Sequence, residues 1–170
     1  MEQLELHQLE DHCIQEHLPP CTAVCPIHVD VRGVLAELGR GNVAAALAVL
    51  NKTLPFPGII GRVCDHPCQT ACNRKDAGEA LDISALELAC ADWGGPPAAP
   101  KVFPKRGKRV AGVGGGLSGL TAALDLGRKG YTVVLFEEEG RLGGSLWEIA
   151  EDRLPRTHRM ADTWRVEALA

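Results

Sequence analysis

The residues best suited to chemistry in this sequence are its cysteines. Cys64, Cys68 and Cys72 stand at four-residue spacing near the middle of the 170-residue chain. Upstream, Cys21 and Cys25 repeat that spacing. Closely spaced cysteines can present several thiolates to one inorganic centre. Because packing alone rarely places cysteines so regularly, the two runs predict a metal or cluster site.

We interpret the predicted ligation chemistry as iron–sulfur, since cysteine thiolates hold such clusters. Pro26 follows Cys25 directly, and a cysteine before proline at the end of a run often binds the neighbouring cluster. The two cysteine runs can therefore interleave. Two alternatives stay open on the residues alone. Zinc sites more usually show C-x2-C pairs, and buried free cysteines are common as small hydrophobic residues.

Composition and charge narrow the class of protein. The chain is 45% hydrophobic and 24% charged, with a net charge of -4, which is typical of a globular protein and gives no electrostatic case for nucleic acid. The stretch from Met1 to His12 is acidic, without the basic start and apolar core of a signal peptide, and no apolar run approaches the ~20 residues that span a bilayer. We therefore expect a cytoplasmic protein without a membrane span. Seven cysteines, an odd number in a reducing compartment, argue against a disulfide framework.

Short helices are expected to position the cysteines. A helix over residues 3–17 would deliver Cys13. Residues 19–26 and 64–72 are predicted to be ligand loops, because prolines interrupt the first and the proline-containing segment 54–58 breaks the helical pattern before the second. Between and after these loops, three helices are predicted. Their expected N-caps are Asp30, Asn42 and Asp82, and the first two helices should form an antiparallel pair.

The third of these helices carries an unusual residue. Glu87 shares one helical face with Ile83, Leu86 and Cys90. A carboxylate on an apolar face is costly unless it finds a partner. Glu87 is therefore expected to have a partner.

The composition changes sharply over residues 93–108, which contain four prolines and three glycines without helical or strand periodicity. This stretch predicts a linker between a helical domain over residues 1–92 and a second domain over residues 109–170. In the second domain, a strand at 109–113, a helix at 117–129 and a strand at 131–136 are predicted. Together they indicate the start of a parallel β-α-β fold.

A glycine motif lies between the predicted strand and helix of the second domain. Gly114, Gly116 and Gly119 follow the strand and begin the helix, as dinucleotide binding requires. The glycines allow a tight turn, close approach of the pyrophosphate, and packing of the helix on the strand. Glu137 ends the second strand 18 residues after Gly119, where it could accept hydrogen bonds from a ribose. A glycine-rich turn without a ligand is the alternative.

These residues carry a resemblance to a known family. The cysteine-containing part resembles the N-terminal double [4Fe-4S] domain shared by the glutamate synthase small subunit and dihydropyrimidine dehydrogenase. The second part is similar to the start of the FAD domain that follows in that family. The resemblance spans roughly residues 10–160. Its motifs are Cys13, Pro20–Pro26, Pro55, Pro57, Gly61–Cys72, Ile83–Glu87, Val110, the glycines up to Gly119, Glu137, Gly143-Gly144 and Arg153-Leu154-Pro155.

The resemblance implies a ligand set for two clusters. One cluster would be bound by Cys13, Cys21 and Cys72. The other would be bound by Cys25, Cys64, Cys68 and, as an uncommon carboxylate ligand, Glu87. Cys90, one turn further along the helix, is a rival for that last role.

The chain departs from the family pattern near its N-terminus. Where the family shows C-x2-C, this chain has Cys13-Ile14-Gln15-Glu16, so one thiolate is missing. Either Glu16 or His17 takes its place, or the first cluster is degraded or absent. The expected cofactors are therefore one or two [4Fe-4S] clusters together with FAD.

FAD rather than NAD is implied by the resemblance and by a second glycine pair that is similar to one in many flavoproteins. The residues concerned are Arg141, Gly143 and Gly144. The expected fold class is an α-helical iron–sulfur domain followed by an incomplete α/β, Rossmann-like FAD-binding half-domain. Because the sequence ends soon after the second strand, we expect either a fragment of a longer chain or another polypeptide that completes the flavin domain.

The function implied by the resemblance is electron transfer between FAD and [4Fe-4S] clusters within an NAD(P)H oxidoreductase like the glutamate synthase small subunit. The chain would be a subunit or N-terminal part of a multi-subunit redox complex, of which hydrogenase, formate dehydrogenase and transhydrogenase types are examples. By itself it lacks a complete active site. The alternative is a non-catalytic iron–sulfur adapter whose glycine motif is structural or vestigial.

Overall fold

The computed structural model describes residues 18–96 and 102–148. The chain divides into two compact units, residues 1–98 and 99–170. The predicted helix that would deliver Cys13, the positions of Glu16 and His17, and the Arg153-Leu154-Pro155 motif lie outside the described residues. None of the helices in the described ranges is long and apolar enough to cross a membrane.

The first unit is helical in its described part. Its α-helices are α1 (Pro20–Ala23), α2 (Val31–Gly39), α3 (Val43–Leu50), α4 (Pro57–Val63), α5 (Pro67–Thr70) and α6 (Ile83–Trp93), with a 3₁₀ helix at Asn73–Ala77. The three predicted N-caps are confirmed, since each side chain accepts a hydrogen bond from the backbone N–H three residues on. These residues are Asp30, Asn42 and Asp82.

A single hydrophobic core joins the longer helices of this unit. The apolar faces of α2, α3 and α6 supply most of it, and segments next to the cysteine runs complete it. Its buried members are Val29, Val31, Val34, Ala46, Leu47, Leu50, Leu54, Cys68, Ile83 and Cys90. The helix that bears Glu87 is therefore held by packing on α3 and α4 rather than by its own propensity.

The Asn42 cap offers a test of this helical unit. Its Oδ1 accepts a hydrogen bond of 3.0 Å from the backbone N–H of Ala45. Asn42→Ala should lower the free energy of unfolding by about 1 kcal/mol, because one backbone donor at the start of α3 loses its partner. Urea denaturation followed by far-UV circular dichroism would measure the change. The matched substitution Asn51→Ala, at the other end of α3, should have a smaller effect.

The segment between Leu54 and Cys72 is more helical than the sequence indicated. The predicted ligand loop 64–72 contains α5, and α4 leads directly into it. In both helices a proline occupies the first position, Pro57 in α4 and Pro67 in α5. Proline is suited to that position because its missing N–H would have no partner there. The prolines thus begin helices as well as interrupting them.

The second unit contains strand β1 (Arg109–Val113), helix α7 (Leu117–Arg128) and strand β2 (Thr132–Phe136). The strands pair in parallel, with Val110 opposite Val133 and Val113 opposite Phe136. The predicted strand–helix–strand order, and with it the expected fold class, is confirmed. β2 begins one residue later than predicted, because the backbone N–H of Tyr131 donates to Leu126 at the end of α7.

The two faces of this small sheet differ. The face that includes Val110 and Gly112 is partly buried, and α7 packs against both strands. On the other face, Val113 is 90% exposed and Phe136 is 57% exposed. Two apolar side chains at the same end of neighbouring parallel strands are therefore open to solvent in this unit.

Candidate iron–sulfur site and nucleotide-binding turn

Glu87, near the middle of α6, and Cys68 are two of the predicted ligands of one cluster, and both are buried. Glu87 is 7% exposed and Cys68 is 6% exposed. Burial and then the negative charge of Glu87 raise the pKa of the Cys68 thiol to about 11, with smaller contributions from Cys64 and Cys25. The charges of Glu87, Cys64 and Cys25, which come from three separate segments, therefore all act on the thiol of Cys68.

Glu87 is buried without compensation in the part of the chain that the structure describes. Burial raises the pKa of its carboxyl to about 7. Among residues 18–96 and 102–148, no hydrogen bond or ion pair to this carboxylate is found. A buried carboxylate of this kind is costly, so the expectation that Glu87 needs a partner stands.

Cys90 is the alternative ligand on the same helix. Its side chain is fully buried within the hydrophobic core of the unit. Burial and then the charge of Glu87 raise the pKa of its thiol. The charge of Glu87 thus acts on both Cys68 and Cys90.

The turn after Cys64 supplies a backbone donor to sulfur. The backbone N–H of His66 points to Cys64 Sγ, with an N–S distance of 3.3 Å. His66 has a φ of 51°, an uncommon left-handed conformation that is also disfavoured before a proline. Such strain, on the order of 1–3 kcal/mol, is concentrated at functional sites. From the sequence, His66 is interpreted either as a solvent-facing turn residue or as a hydrogen-bonding neighbour of the cluster, and the contact found here is made by its backbone N–H.

The donor set fits an iron–sulfur cluster. Within the described ranges, no group of three or more His, Cys, Asp or Glu side chains is close enough to hold a single metal ion. In a [4Fe-4S] cube each thiolate binds a different iron atom, so the ligands stand farther apart than those of one ion. The ionised forms of buried thiols and a buried carboxyl without a cation beside them would be stabilised by the positive charge of a bound metal centre. The residues present therefore fit an iron–sulfur cluster.

The other predicted ligand set is described only in part, because Cys13 lies outside the described residues. Helix α1, which contains Cys21, packs against α5, and Cys72 follows α5 by two residues and is buried. No disulfide joins the six cysteines of the described part. The two segments thus lie side by side, as a shared cluster would require.

The glycine turn of the second unit has the geometry that its motif predicts. Gly114 has a φ of 94°, which favours glycine. A Cβ on Gly119 would lie 1.9 Å from the carbonyl oxygen of Gly114, so α7 can approach the turn only with glycine there. Gly116 is the N-cap of α7, and a Cβ on it would meet no atom within 4 Å. The space beside Gly116 is therefore open to a ligand.

Glu137 is tied to this turn by its carboxylate. Oε2 accepts a short hydrogen bond from the backbone N–H of Gly115, and Oε1 accepts one of 3.0 Å from Glu139. These backbone donors lower the pKa of Glu137 below its usual range. A Cβ on Gly115 would lie 2.6 Å from Glu137 Oε2 and 2.6 Å from Leu142 Cδ2. Gly115 was missed from the sequence because the motif leaves that position unspecified.

The second glycine pair lies against the first motif. Gly143 forms a parallel β-bridge with Gly116 and donates a 2.9 Å hydrogen bond to the carbonyl of Gly115. Gly144 has a φ of 51°, and a Cβ on it would lie 3.4 Å from the Cα of Gly116. The guanidinium of Arg141 stacks over the ring of Trp147 at 4.7 Å. The predicted nucleotide-binding residues are thus adjacent in this unit.

Glu137→Gln should destabilise the second unit at neutral pH. Glutamine has one acceptor oxygen, so the N–H of Gly115 or Glu139 would face an amide donor instead. Because folding lowers the pKa of Glu137, its stabilising effect is present above the ordinary carboxyl pKa and is lost as pH falls through the lower value. Thermal unfolding from pH 7 to pH 3 should show this loss in the native protein and in Glu138→Gln, but not in Glu137→Gln.

These features define the class of protein: a helical unit with converging thiols and a carboxylate, followed by a Rossmann-like unit with a dinucleotide-type glycine turn. Residues 2–96, more than half of the chain, match the family described as dihydropyrimidine dehydrogenase domain II, 4Fe-4S cluster. Residues 113–164 match the NAD(P)-binding Rossmann-like domain. The chain belongs to the dihydropyrimidine dehydrogenase domain II, 4Fe-4S cluster family.

Several curated proteins are similar to this chain. The NADPH-Fe(3+) oxidoreductase subunit beta of Geobacter sulfurreducens is 33% identical over an alignment of 140 positions, which covers 78% of this chain and 20% of that protein. The NADP(+)-dependent formate dehydrogenase subunit beta of Moorella thermoacetica is 33% identical over an alignment of 175 positions, which covers 88% of this chain and 25% of that protein. The glutamate synthase [NADPH] small chain of Mycobacterium tuberculosis is 33% identical over an alignment of 171 positions, which covers 95% of this chain and 34% of that protein. The chain thus spans between a fifth and about a third of these relatives.

Proposed function

We propose that this chain is the electron-transfer part of an NAD(P)H-dependent oxidoreductase, in which [4Fe-4S] clusters in the helical unit exchange electrons with a flavin on the Rossmann-like unit. The observation that carries this proposal is the buried Cys68 thiol, on which the charges of Cys25, Cys64 and the buried, uncompensated carboxylate of Glu87 all act. The similarity to NADPH-dependent oxidoreductase subunits supports it.

Each cluster is assigned its own ligands. We assign Cys25, Cys64, Cys68 and Glu87 to one cluster. The support is the burial of Cys68 and Glu87 and the charges that act on the Cys68 thiol. We assign Cys13, Cys21 and Cys72 to a second, supported by the packing of α1 on α5. When bound, the clusters would carry single electrons and the flavin would exchange a hydride for single electrons. The chain's own residues supply the thiolates, keep Cys68 and Glu87 away from water, and donate a backbone N–H to Cys64.

The nucleotide that we assign to the second unit is FAD. Its pyrophosphate would lie over the open side of Gly116 at the start of α7, where backbone N–H groups favour an anion. The carboxylate of Glu137 would then release the N–H of Gly115 and accept hydrogen bonds from the ribose hydroxyls. The adjacency of Gly143 and Gly144 to Gly116 supports a flavoprotein-type turn, in which two glycine segments leave room for one dinucleotide.

We further propose that another polypeptide segment completes the flavin-binding sheet. Val113 and Phe136 are exposed at one end of a two-stranded parallel sheet, whereas parallel sheets are normally covered on both faces. An oxidoreductase subunit or a longer form of this chain would supply further strands and the NAD(P)H site. We place the domain boundary in residues 93–108, with the cluster domain over 1–92 and the flavin domain over 109–170, and the protein in the cytoplasm, where thiols stay reduced.

Anaerobic purification tests this function. The chain should be expressed with the polypeptide that completes it, and its iron, sulfide and flavin should be measured. About eight iron atoms per chain together with flavin would support electron transfer between clusters and flavin. About four iron atoms and no flavin would favour the iron–sulfur adapter instead. A colourless protein that contains zinc would overturn both functions.

A further inference from the structure

Helix α6 is joined to the two ligand-bearing segments by side chains that are not ligands. Near its N-terminus, the side-chain amide of Gln69 donates a 2.6 Å hydrogen bond to Asp82 Oδ1. Gln69 directly follows Cys68. The same Oδ1 accepts from Ser84 Oγ at 2.7 Å and from the backbone N–H of Ala85 at 3.0 Å. The Cys68 segment is therefore attached to the fixed cap of α6.

Near the other end of α6, a second contact involves the segment of Cys64. Arg62, two residues before Cys64, donates from Nη2 to both carboxylate oxygens of Asp92, at 3.1 and 3.2 Å. Its Nη1 donates to the carbonyl of Gly58 within α4. The Arg62 side chain is 18% exposed. The side chain of Asp92 is 36% exposed, but three hydrogen bonds to two different groups fix the direction of the Arg62 guanidinium better than a single surface ion pair would.

Glu87 lies midway between these two contacts. Asp82 and Asp92 are each five residues from it, so on a helix with a rise of about 1.5 Å per residue they stand roughly 7.5 Å to either side along the axis. Between them α4 touches α6 closely. A Cβ on Gly61 would lie 3.1 Å from Leu88 Cδ2 and 4.0 Å from the Cβ of Glu87.

Resting on the proposed function, we propose that the pairs Gln69–Asp82 and Arg62–Asp92 are two clamps that hold Cys68 and Cys64 at fixed positions beside Glu87. Arg62 acts here as a positioning residue and not as a counter-ion, since burial raises the pKa of the Glu87 carboxyl and no cation of the described part offsets that effect. The clamps determine the geometry of the carboxylate-ligated cluster without touching it.

The test compares Arg62→Met and Gln69→Leu with Arg40→Met in the anaerobically purified protein. Arg40 forms an exposed pair with Glu37 at 2.6 Å on α2, away from the ligand segments, and so provides a matched loss of one ion pair. The clamp variants should release iron to a ferrous chelator roughly 10-fold faster or more, as is usual when residues that orient metal ligands are replaced. Their reduced clusters should give a shifted electron paramagnetic resonance signal.

Arg62→Lys separates positioning from charge. Lysine keeps the positive charge but cannot donate to Gly58 and to both oxygens of Asp92 at once, so it should restore the signal only in part. Variants that melt at a lower temperature but keep the native signal and chelation rate would overturn the clamps while leaving the proposed function intact. Absence of iron and sulfide from the unmodified protein would overturn both.

Discussion

Replacing Glu87 with alanine is expected to remove one cluster and leave the other. Iron should fall from about eight to about four atoms per chain, with a matching loss of sulfide. The physical reason is that Glu87 brings a buried carboxylate within electrostatic reach of Cys68, the thiol on which Cys25 and Cys64 also act, and alanine offers the fourth iron no ligand. Iron and sulfide analysis of the anaerobic protein would measure the change.

The stability of the iron-free protein provides a second readout for the same variant. A residue that is buried without a hydrogen bond or a cation in the described part is a cost to folding when the metal is absent. Glu87→Ala should therefore leave the unfolding temperature of the iron-free protein unchanged or raise it. A purely structural carboxylate would behave in the opposite way, since its loss would lower that temperature with or without iron.

Two control variants identify the ligand. Glu87→Gln keeps an oxygen donor at the same place and should retain iron near the native level with an altered cluster spectrum. Cys90→Ala removes the rival thiol from the core and should cost no more than about 1–2 kcal/mol of stability, with full iron content. Loss of four iron atoms in Cys90→Ala, but not in Glu87→Ala, would show that the thiol is the ligand.

Gly119→Ala is expected to unfold the second unit. The added methyl would stand 1.9 Å from the carbonyl oxygen of Gly114, and the obstructing atom belongs to the backbone of the turn, so it cannot move aside as a side chain would. The loss should be at least about 3 kcal/mol, the upper end of the range for overpacking. Thermal unfolding, with flavin release as a second signal, would measure it.

Gly116→Ala is the matched substitution in the same motif. Its φ of -70° is allowed for alanine, and the new Cβ would meet no atom within 4 Å. The unit should therefore fold normally and lose nucleotide affinity, because the methyl group would occupy the space through which the pyrophosphate approaches. A Gly116→Ala protein that binds flavin like the native one would contradict the assignment of this turn.

Several elements could be predicted from the sequence because they depend on local chemistry. Asp30, Asn42 and Asp82 cap helices through their own side chains, and such caps need no tertiary contact. The strand at 109–113 was predicted at its observed bounds because hydrophobic side chains and the glycines that follow mark both of its ends. The helices that begin at Pro57 and Pro67 were missed, since proline reads equally well as a breaker and as a first helical residue.

The chemistry of the candidate site was determined by residue types that the sequence displays directly. Iron–sulfur chemistry is indicated by regularly spaced cysteines and a carboxylate on an apolar helical face. Dinucleotide binding is indicated by a glycine motif after a strand. Only the tertiary structure decided which of them meet. Arg62 contacts Asp92, 30 residues away, and Glu137 contacts Gly115. Both contacts depend on packing between distant segments. A local sequence pattern does not encode the distance between side chains that only the folded core brings together.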